Sequence, residues 1–292
     1  MCGISLDPHI LLDVQVKRIH EYKRQVLNVL GVIHRYGELR RMRKDAPGLL
    51  RAVVPRAVIF SGKAAPGYVM AKVVIQLILH VAAVVNADKE TNEFLKVVFI
   101  PNYNVKLAEC IIPAADLSQH LSTAGMEASG TSNIKFAMNG CLLLASFDGA
   151  TAEICRQVGE DKVFIFGTRA EQVDEVRQRQ HAGSFTADWR FTNALDRIRN
   201  GEFGAPVLFD TLLEALRPEN DAFLVSSDFG PYLEAQAKVD RTYQKPQEWW
   251  RLSILSCAGM MCVTHTHRHA CMHTHTHTHA HTYIHTHTRH ST

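Results

Sequence analysis

Val53-Val-Pro-Arg-Ala-Val-Ile-Phe60-Ser-Gly-Lys-Ala-Ala-Pro-Gly67 decides the fold class. Val53 to Phe60 is a continuous apolar run with a proline near its start, the pattern of a strand buried on both faces. Ser61 to Gly67 is a glycine-rich turn, and an apolar helix follows from Val69 to Val85. Only Lys72, Gln76 and His80 interrupt that helix, at i, i+4 and i+8, so its polar residues form one narrow stripe. This predicts a largely buried helix of a soluble domain rather than a membrane span. Strand, glycine turn and helix together open a βαβ unit. The turn lacks full Gly-x-Gly-x-x-Gly spacing, so it carries no nucleotide signature.

Working outward, the same alternation recurs. Upstream, Leu12 to Lys17 alternates as a strand, and a long helix follows with Tyr22, Val26, Leu30 and Ile33 on one face. That helix ends in the basic run Arg40 to Lys44, favourable at a helix C-terminus and read as a solvated face. Downstream, Leu95 to Ile100 is a buried strand ending in the loop Pro101-Asn-Tyr-Asn104. Val105 to Ile111 reads as a short helix, and Pro113 to Ser118 leads into a loop. Leu142 to Ala145 and Val163 to Phe166 are further strands, with Ala150 to Val158 helical between them. Beyond Ala170 the pattern is helical: Glu171–Gln178, Thr192–Asn200, Val207–Leu216, Pro231–Tyr243 and Gln247–Leu255, with Trp249 and Trp250 as packing aromatics. The prediction is an α/β fold with a doubly wound, mostly parallel sheet, followed by helices.

The chain has 292 residues, 46% hydrophobic and 21% charged, with a net charge of +3. Those are ordinary globular values, and the charge is too small to point to nucleic acid or an anionic membrane. Seven cysteines without Cys-x-x-Cys pairing fit a reduced cytoplasmic protein better than a disulfide scaffold. The opening residues carry no signal-peptide pattern.

The stretch with chemistry in it is Glu127-Ala-Ser-Gly-Thr-Ser-Asn-Ile-Lys-Phe-Ala-Met-Asn-Gly140. Small residues allow close backbone approach to a ligand, and Thr131-Ser-Asn reads as a capped helix start. Ile134, Ala137, Met138 and Cys141 then keep helical spacing. A helix N-terminus favours an anion such as phosphate. Lys135 lies about one turn in and roughly 100° off the apolar stripe, free to face a ligand. A lysine beside an anion site suits pyridoxal phosphate, whose Schiff base needs an amine. A surface lysine on a capped helix has the same pattern, so spacing alone leaves both readings open. Lys17, Arg18 and Lys23 sit at a strand-to-helix junction, where α/β proteins place ligands. Three cations there could hold two phosphates, or form a solvated patch.

Glu127 to Phe136 closely resembles the pyridoxal-phosphate lysine signature of the α-1,4-glucan (glycogen and starch) phosphorylases. Val14-Gln-Val-Lys-Arg-Ile-His-Glu-Tyr-Lys-Arg-Gln25, Gly62-Lys-Ala-Ala-Pro-Gly-Tyr68 and Ile112-Pro-Ala-Ala-Asp-Leu-Ser118 resemble the same family, in its order. The similarity runs from about Leu12 to Ala258, and Ile134 stands where the family usually has Met. The resemblance implies the C-terminal, Rossmann-like domain of a two-domain glycosyltransferase-type fold. It implies phosphorolysis of α-1,4-glucan by inorganic phosphate to glucose 1-phosphate, with pyridoxal 5'-phosphate as cofactor. It implies Lys135 as the Schiff-base lysine, with Lys17, Thr131, Ser132, Gly130 and Tyr103 around the cofactor. Arg18 and Lys23 would meet the substrate phosphate, and Glu127, Ser129 and Gly130 the glucosyl hydroxyls. The cofactor's phosphate would shuttle the proton; its pKa near ~6 suits that task. Lys63 lies in a segment near the cofactor, and Asn104 stands where some members carry a phosphate-holding arginine. The family is commonly homodimeric.

The resembled proteins are far longer. The family's N-terminal domain has no counterpart here, and its ordinary ending stops matching near Ser256. The expectation is that residues 1–258 form a partial cofactor-binding domain with little turnover alone; the alternative is a non-catalytic cofactor- or sugar-binding piece. Residues 259–292 hold 11 of the 17 histidines, mostly alternating with threonine as a translated CA repeat would. That tail is expected to be disordered and a product of gene prediction or splicing, with metal binding as its functional alternative.

Overall fold

A computed structural model describes residues 5–260. The tail expected to be disordered or metal-binding lies outside those residues from 261 onward, while Gly259 and Met260 are helical. In order the elements are β1 (Leu11–Val16), α1 (Gln25–Asp45), β2 (Arg56–Ser61), α2 (Val69–Ala87), β3 (Leu95–Ile100), α3 (Val105–Ala114) and β4 (Leu117–His120). There follow α4 (Ser132–Met138), β5 (Leu142–Ser146), α5 (Ala150–Val158), β6 (Phe164–Phe166), α6 (Val173–His181), α7 (Trp189–Arg199), α8 (Asp210–Ala215) and α9 (Val225–Tyr243). Residues 246–260 are also helical, and this described stretch is α10.

The six strands form one parallel sheet in the order β3-β2-β1-β4-β5-β6. Strand side chains alternate between two apolar layers. Leu11, Val58, Phe60, Val97, Leu142, Leu144 and Phe164 face one, with α1, α2, α7, α8 and α9. Val14, Val16, Ile59, Val98, Leu143 and Ala145 face the other, with α3, α4 and α5. Burial on both faces is why the strands read as continuous apolar runs. The chain is therefore doubly wound and parallel, as its alternation predicts. By length and composition α2 could cross a bilayer, but Ala71, Val74, Leu77, Ile78, Val81 and Val85 are packed into the first layer.

Four local expectations need correction. The segment leaving Pro113 is a strand, β4, rather than a loop; three of its four residues, Ser118, Gln119 and His120, are buried polar groups. Gln119 Nε2 donates to both carboxylate oxygens of Asp13, at 2.7 and 2.8 Å, and Tyr232 Oη donates to Gln119 Oε1 at 2.8 Å. Buried polar groups with partners replace the apolar pattern that marks a strand. The first long helix does not run on from Tyr22: Glu21–Lys23 is a 3-10 turn, and Arg24 breaks the path at φ 51°. Arg24 is fully buried, donating to Leu121 O at 2.5 Å, Ser122 O at 3.1 Å and Asp228 Oδ2 at 2.6 Å. Those contacts hold the left-handed backbone. Helix α9 begins at Val225 and carries Pro231 inside it, because Val225, Asp228 and Phe229 are buried upstream of the proline. Trp249 is buried and stacks on Phe164, but Trp250 is 61% exposed rather than a core aromatic.

Candidate functional site

The strand order reverses between β1 and β4: successive strands β2 and β3 add on one side of β1, and β5 and β6 add on the far side of β4. Loops leaving the carboxyl ends diverge at such a point and leave a crevice. A cavity of about 200 Å³ lies there, lined by Lys17, Lys23, His120, Ser122, Glu127, Gly130, Thr131, Ser132, Asn133, Asp148, Ala150 and Thr151. Lys17 is the first residue past β1, His120 the last of β4, and Asp148 two residues past β5.

The segments that carry Lys17 and Glu127 are tied down by hydrogen bonds. Lys17 N donates to Ser61 O at 3.0 Å and Ile19 N to Lys63 O at 3.2 Å, tying the segment after β1 to the glycine turn after β2. A Cβ at Gly62 would collide with the Lys17 carbonyl, so the turn needs glycine to let that segment pass. The loop carrying Glu127 hangs on Asp148. Ser122 Oγ and Glu127 N donate to Asp148 Oδ2 and Gly125 N to Oδ1, all at 2.9 Å. Gly149, at φ 50°, is needed beside it, because a Cβ there would sit 2.7 Å from Glu127 O.

The charges pair unequally. Lys23 Nζ lies 2.5 Å from Glu127 Oε2, with Tyr22 Oη 3.4 Å from Glu127 Oε1. Burial pulls the Lys23 amine down, but hydrogen bonds with Glu127 and Tyr22 outweigh it and leave its pKa raised. Among the described residues no carboxylate is bonded to the Lys17 amine, although Glu127 is near enough to favour its charge. Burial, joined by repulsion from Lys23, lowers its pKa to about 7. Its Nζ lies 3.1 Å from His120 Nδ1, and His120 Nε2 lies 2.9 Å from Ser118 Oγ. Burial and the two lysines hold the His120 imidazole well below its ordinary range.

Six of the residues predicted from sequence line this cavity: Lys17, Lys23, Glu127, Gly130, Thr131 and Ser132. Arg18, Tyr103, Ser129 and Lys135 do not. Arg18 and Lys135 are exposed, and among the described residues no hydrogen bond or ion pair engages either side chain. Lys135 lies one turn along α4 from the cavity-lining residues, between buried Ile134 and Phe136, and projects away from the core. Tyr103 packs against the second apolar layer, and burial raises its phenol. Lys63 is exposed outside the cavity. Asn104 caps α3 through its Oδ1, 3.1 Å from Leu107 N. Thr131 makes no side-chain cap; Asn133 Oδ1 accepts instead from Ile134 N at 3.0 Å. His120, Ser122 and Asp148 were not legible as site residues. Their common signal is position at the carboxyl ends of β4 and β5, which required β4 to be recognised.

The donors in this crevice, two lysine amines and a glycine-bearing turn into a helix, suit an oxyanion. Among the described residues no group of three His, Cys, Asp or Glu could hold a metal ion.

A family model described as carbohydrate phosphorylase matches residues 1–268. The chain is 49% identical over 262 residues to the alpha-glucan phosphorylase H isozyme of Solanum tuberosum, covering 88% of this chain and 31% of that protein. Alpha-glucan phosphorylase 2, cytosolic, of Arabidopsis thaliana is also 49% identical over 262 residues, with the same coverage. Glycogen phosphorylase 2 of Dictyostelium discoideum is 48% identical over 260 residues, covering 88% of this chain and 25% of that protein. The chain thus spans about a third or less of these relatives.

Proposed function

The chain belongs to the carbohydrate phosphorylase family, and from that membership we propose that it carries the phosphate-handling half of an α-1,4-glucan phosphorylase site. The observation that supports this best is the convergence of Lys17, Lys23 and Glu127 with Gly130 to Ser132 on one crevice where the strand order reverses. The substrates proposed are glucan and inorganic phosphate, in a cytosolic setting like the one printed in the Arabidopsis relative's name.

Pyridoxal 5'-phosphate fits the donor set at its anionic end: Lys17 and the Gly130–Ser132 turn would hold its phosphate, and Lys135 would supply the amine for its aldehyde. Bound there, it would supply a second phosphate able to exchange a proton with the substrate phosphate near neutral pH. The chain's own residues do the rest. Lys23 and Arg18 would hold and orient the incoming phosphate. Lys17 offsets the repulsion of two anions brought together. Glu127, Ser129 and Gly130 would fix the sugar through its hydroxyls, with Asp148 keeping the Glu127 loop in place.

A second reading, a cofactor- or sugar-binding unit without turnover, is favoured by the exposure of Lys135 and Arg18 outside the cavity. Borohydride reduction of the full chain with pyridoxal phosphate, followed by peptide mapping, tests the cofactor assignment. Label on Lys135 is expected; label spread over other lysines defeats it. Release of glucose 1-phosphate from glucan and phosphate by the labelled-competent protein separates the enzyme from the binding unit.

A further inference from the structure

We propose that His120 is a positioning residue for Lys17: it accepts a hydrogen bond from the protonated Lys17 amine through Nδ1, is supported in that tautomer by Ser118 at Nε2, and so holds the cation aimed into the cavity without cancelling its charge. The purpose assigned to the pair rests on the anion-site reading above; its geometry does not.

The contrast with Lys23 carries the argument. Lys23 is held by a carboxylate, Glu127, at 2.5 Å. That contact orders the lysine but neutralises it, so an anion must displace or share the partner. Lys17 is held at 3.1 Å by an imidazole nitrogen. A neutral acceptor orders the amine and, at and below about pH 7 where the amine carries its proton, leaves that charge for an incoming anion. Ordering matters because a free lysine side chain has rotamer entropy that would otherwise be lost on binding.

For this the ring must be neutral with its lone pair on Nδ1. The Lys17 ammonium only donates, so it takes the Nδ1 lone pair and leaves the proton on Nε2, where Ser118 Oγ, buried 2.9 Å away, is placed to accept it. Phe136 of α4 lies edge-on to the ring at 6.2 Å and limits its rotation. The charged groups sharing the cavity are Lys23, Glu127 and Asp148; Arg24, behind it, is turned to Asp228 and the carbonyls of Leu121 and Ser122. The nearest cations, Lys17 and Lys23, disfavour a second positive charge on the ring. An imidazole at this position is thus an acceptor, not an acid.

The test uses the full chain without ligand, then with inorganic phosphate as the probe. Histidine ¹⁵N spectra, assigned by loss of a signal in His120→Gln, should show a neutral ring protonated on Nε2 at pH 6 to 8. Ser118→Ala should mix the tautomers while leaving the melting curve close to that of the parent. With ¹³Cε-labelled lysine, Lys17 should give one dispersed resonance, kept in His120→Gln, whose amide oxygen still accepts, and merged with the surface lysines in His120→Leu. Phosphate affinity should stay within about threefold in the first variant and fall about tenfold in the second. A ring protonated on Nδ1, a charged ring at pH 6, or a Lys17 signal indifferent to His120→Leu overturns the proposal. An intact pair in a protein that binds no phosphate counts instead against the function proposed above.

Discussion

Lys23 Nζ sits 2.5 Å from Glu127 Oε2, so the cation expected to meet a substrate phosphate and the carboxylate expected to meet a sugar are bound to each other. In this state each blocks the other's ligand. Binding a phosphate at Lys23 means drawing the amine away from Glu127, or placing the anion against both.

Glu127→Gln should therefore bind inorganic phosphate more tightly than the parent, by roughly three- to tenfold, because a competing charge beside the anion is removed. Calorimetric titration measures it. Equal or weaker binding would show that the ion pair is not what phosphate has to overcome.

Lys17 gives a pH signature. Its folded-state pKa is about 7, lowered by burial and by Lys23 from the ordinary 10.5. The unfolded chain binds a proton there that the folded chain does not, so stability attributable to Lys17 rises with pH between about 7 and 10.5. Denaturant melts at pH 7 and pH 9 should show that rise, and Lys17→Met should flatten it. Amine acylation read by mass spectrometry should place the half-maximal reactivity of Lys17 near pH 7, while other lysines are still rising at pH 9. A Lys17 profile that tracks the rest would refute the lowered value.

The Arg24–Asp228 pair joins the start of α1 to α9, with both side chains buried and 2.6 Å apart. Asp228 also accepts from Thr168 N at 2.8 Å and Thr168 Oγ1 at 2.7 Å. Removing one member leaves a buried, unpaired charge, so Asp228→Ala should cost about 3–5 kcal/mol in a denaturant melt. A loss below about 1 kcal/mol would mean the arginine finds other partners.

Asp148→Ala should free the loop from Ser122 to Glu127, which hangs on three hydrogen bonds to that carboxylate. Amide exchange of Gly125 and Glu127 should rise at least tenfold, since each loses its only side-chain acceptor among the described residues. Protection unchanged from the parent would place the loop's anchor elsewhere.

Much of this architecture was legible in the chain because strands buried on both faces leave continuous apolar runs. Val53 to Phe60 and Leu95 to Ile100 are such runs, and the structure makes them neighbouring strands. The parts that escaped reading are those where polar groups are buried in partnership. Gln119 and His120 conceal β4 because their partners, Asp13, Tyr232 and Lys17, lie far away in sequence. Arg24 ends an otherwise helical pattern for the same reason. Motifs named Lys17, Lys23 and Glu127 as site residues, but nothing in their spacing shows that the last two would pair. Lys135 has a clear motif and an exposed amine, a juxtaposition that only coordinates could reveal.

The crevice draws its walls from chain positions as distant as Lys17, His120 and Thr151, and those walls meet only once β1, β4 and β5 are side by side. No local segment can keep the pocket after the sheet has come apart. Heat or denaturant should therefore erase ligand capture and tertiary structure in a single transition. Any oxyanion held there would act as a clasp on the whole sheet, and the upward displacement of the melting point would be a direct gauge of how firmly it is gripped.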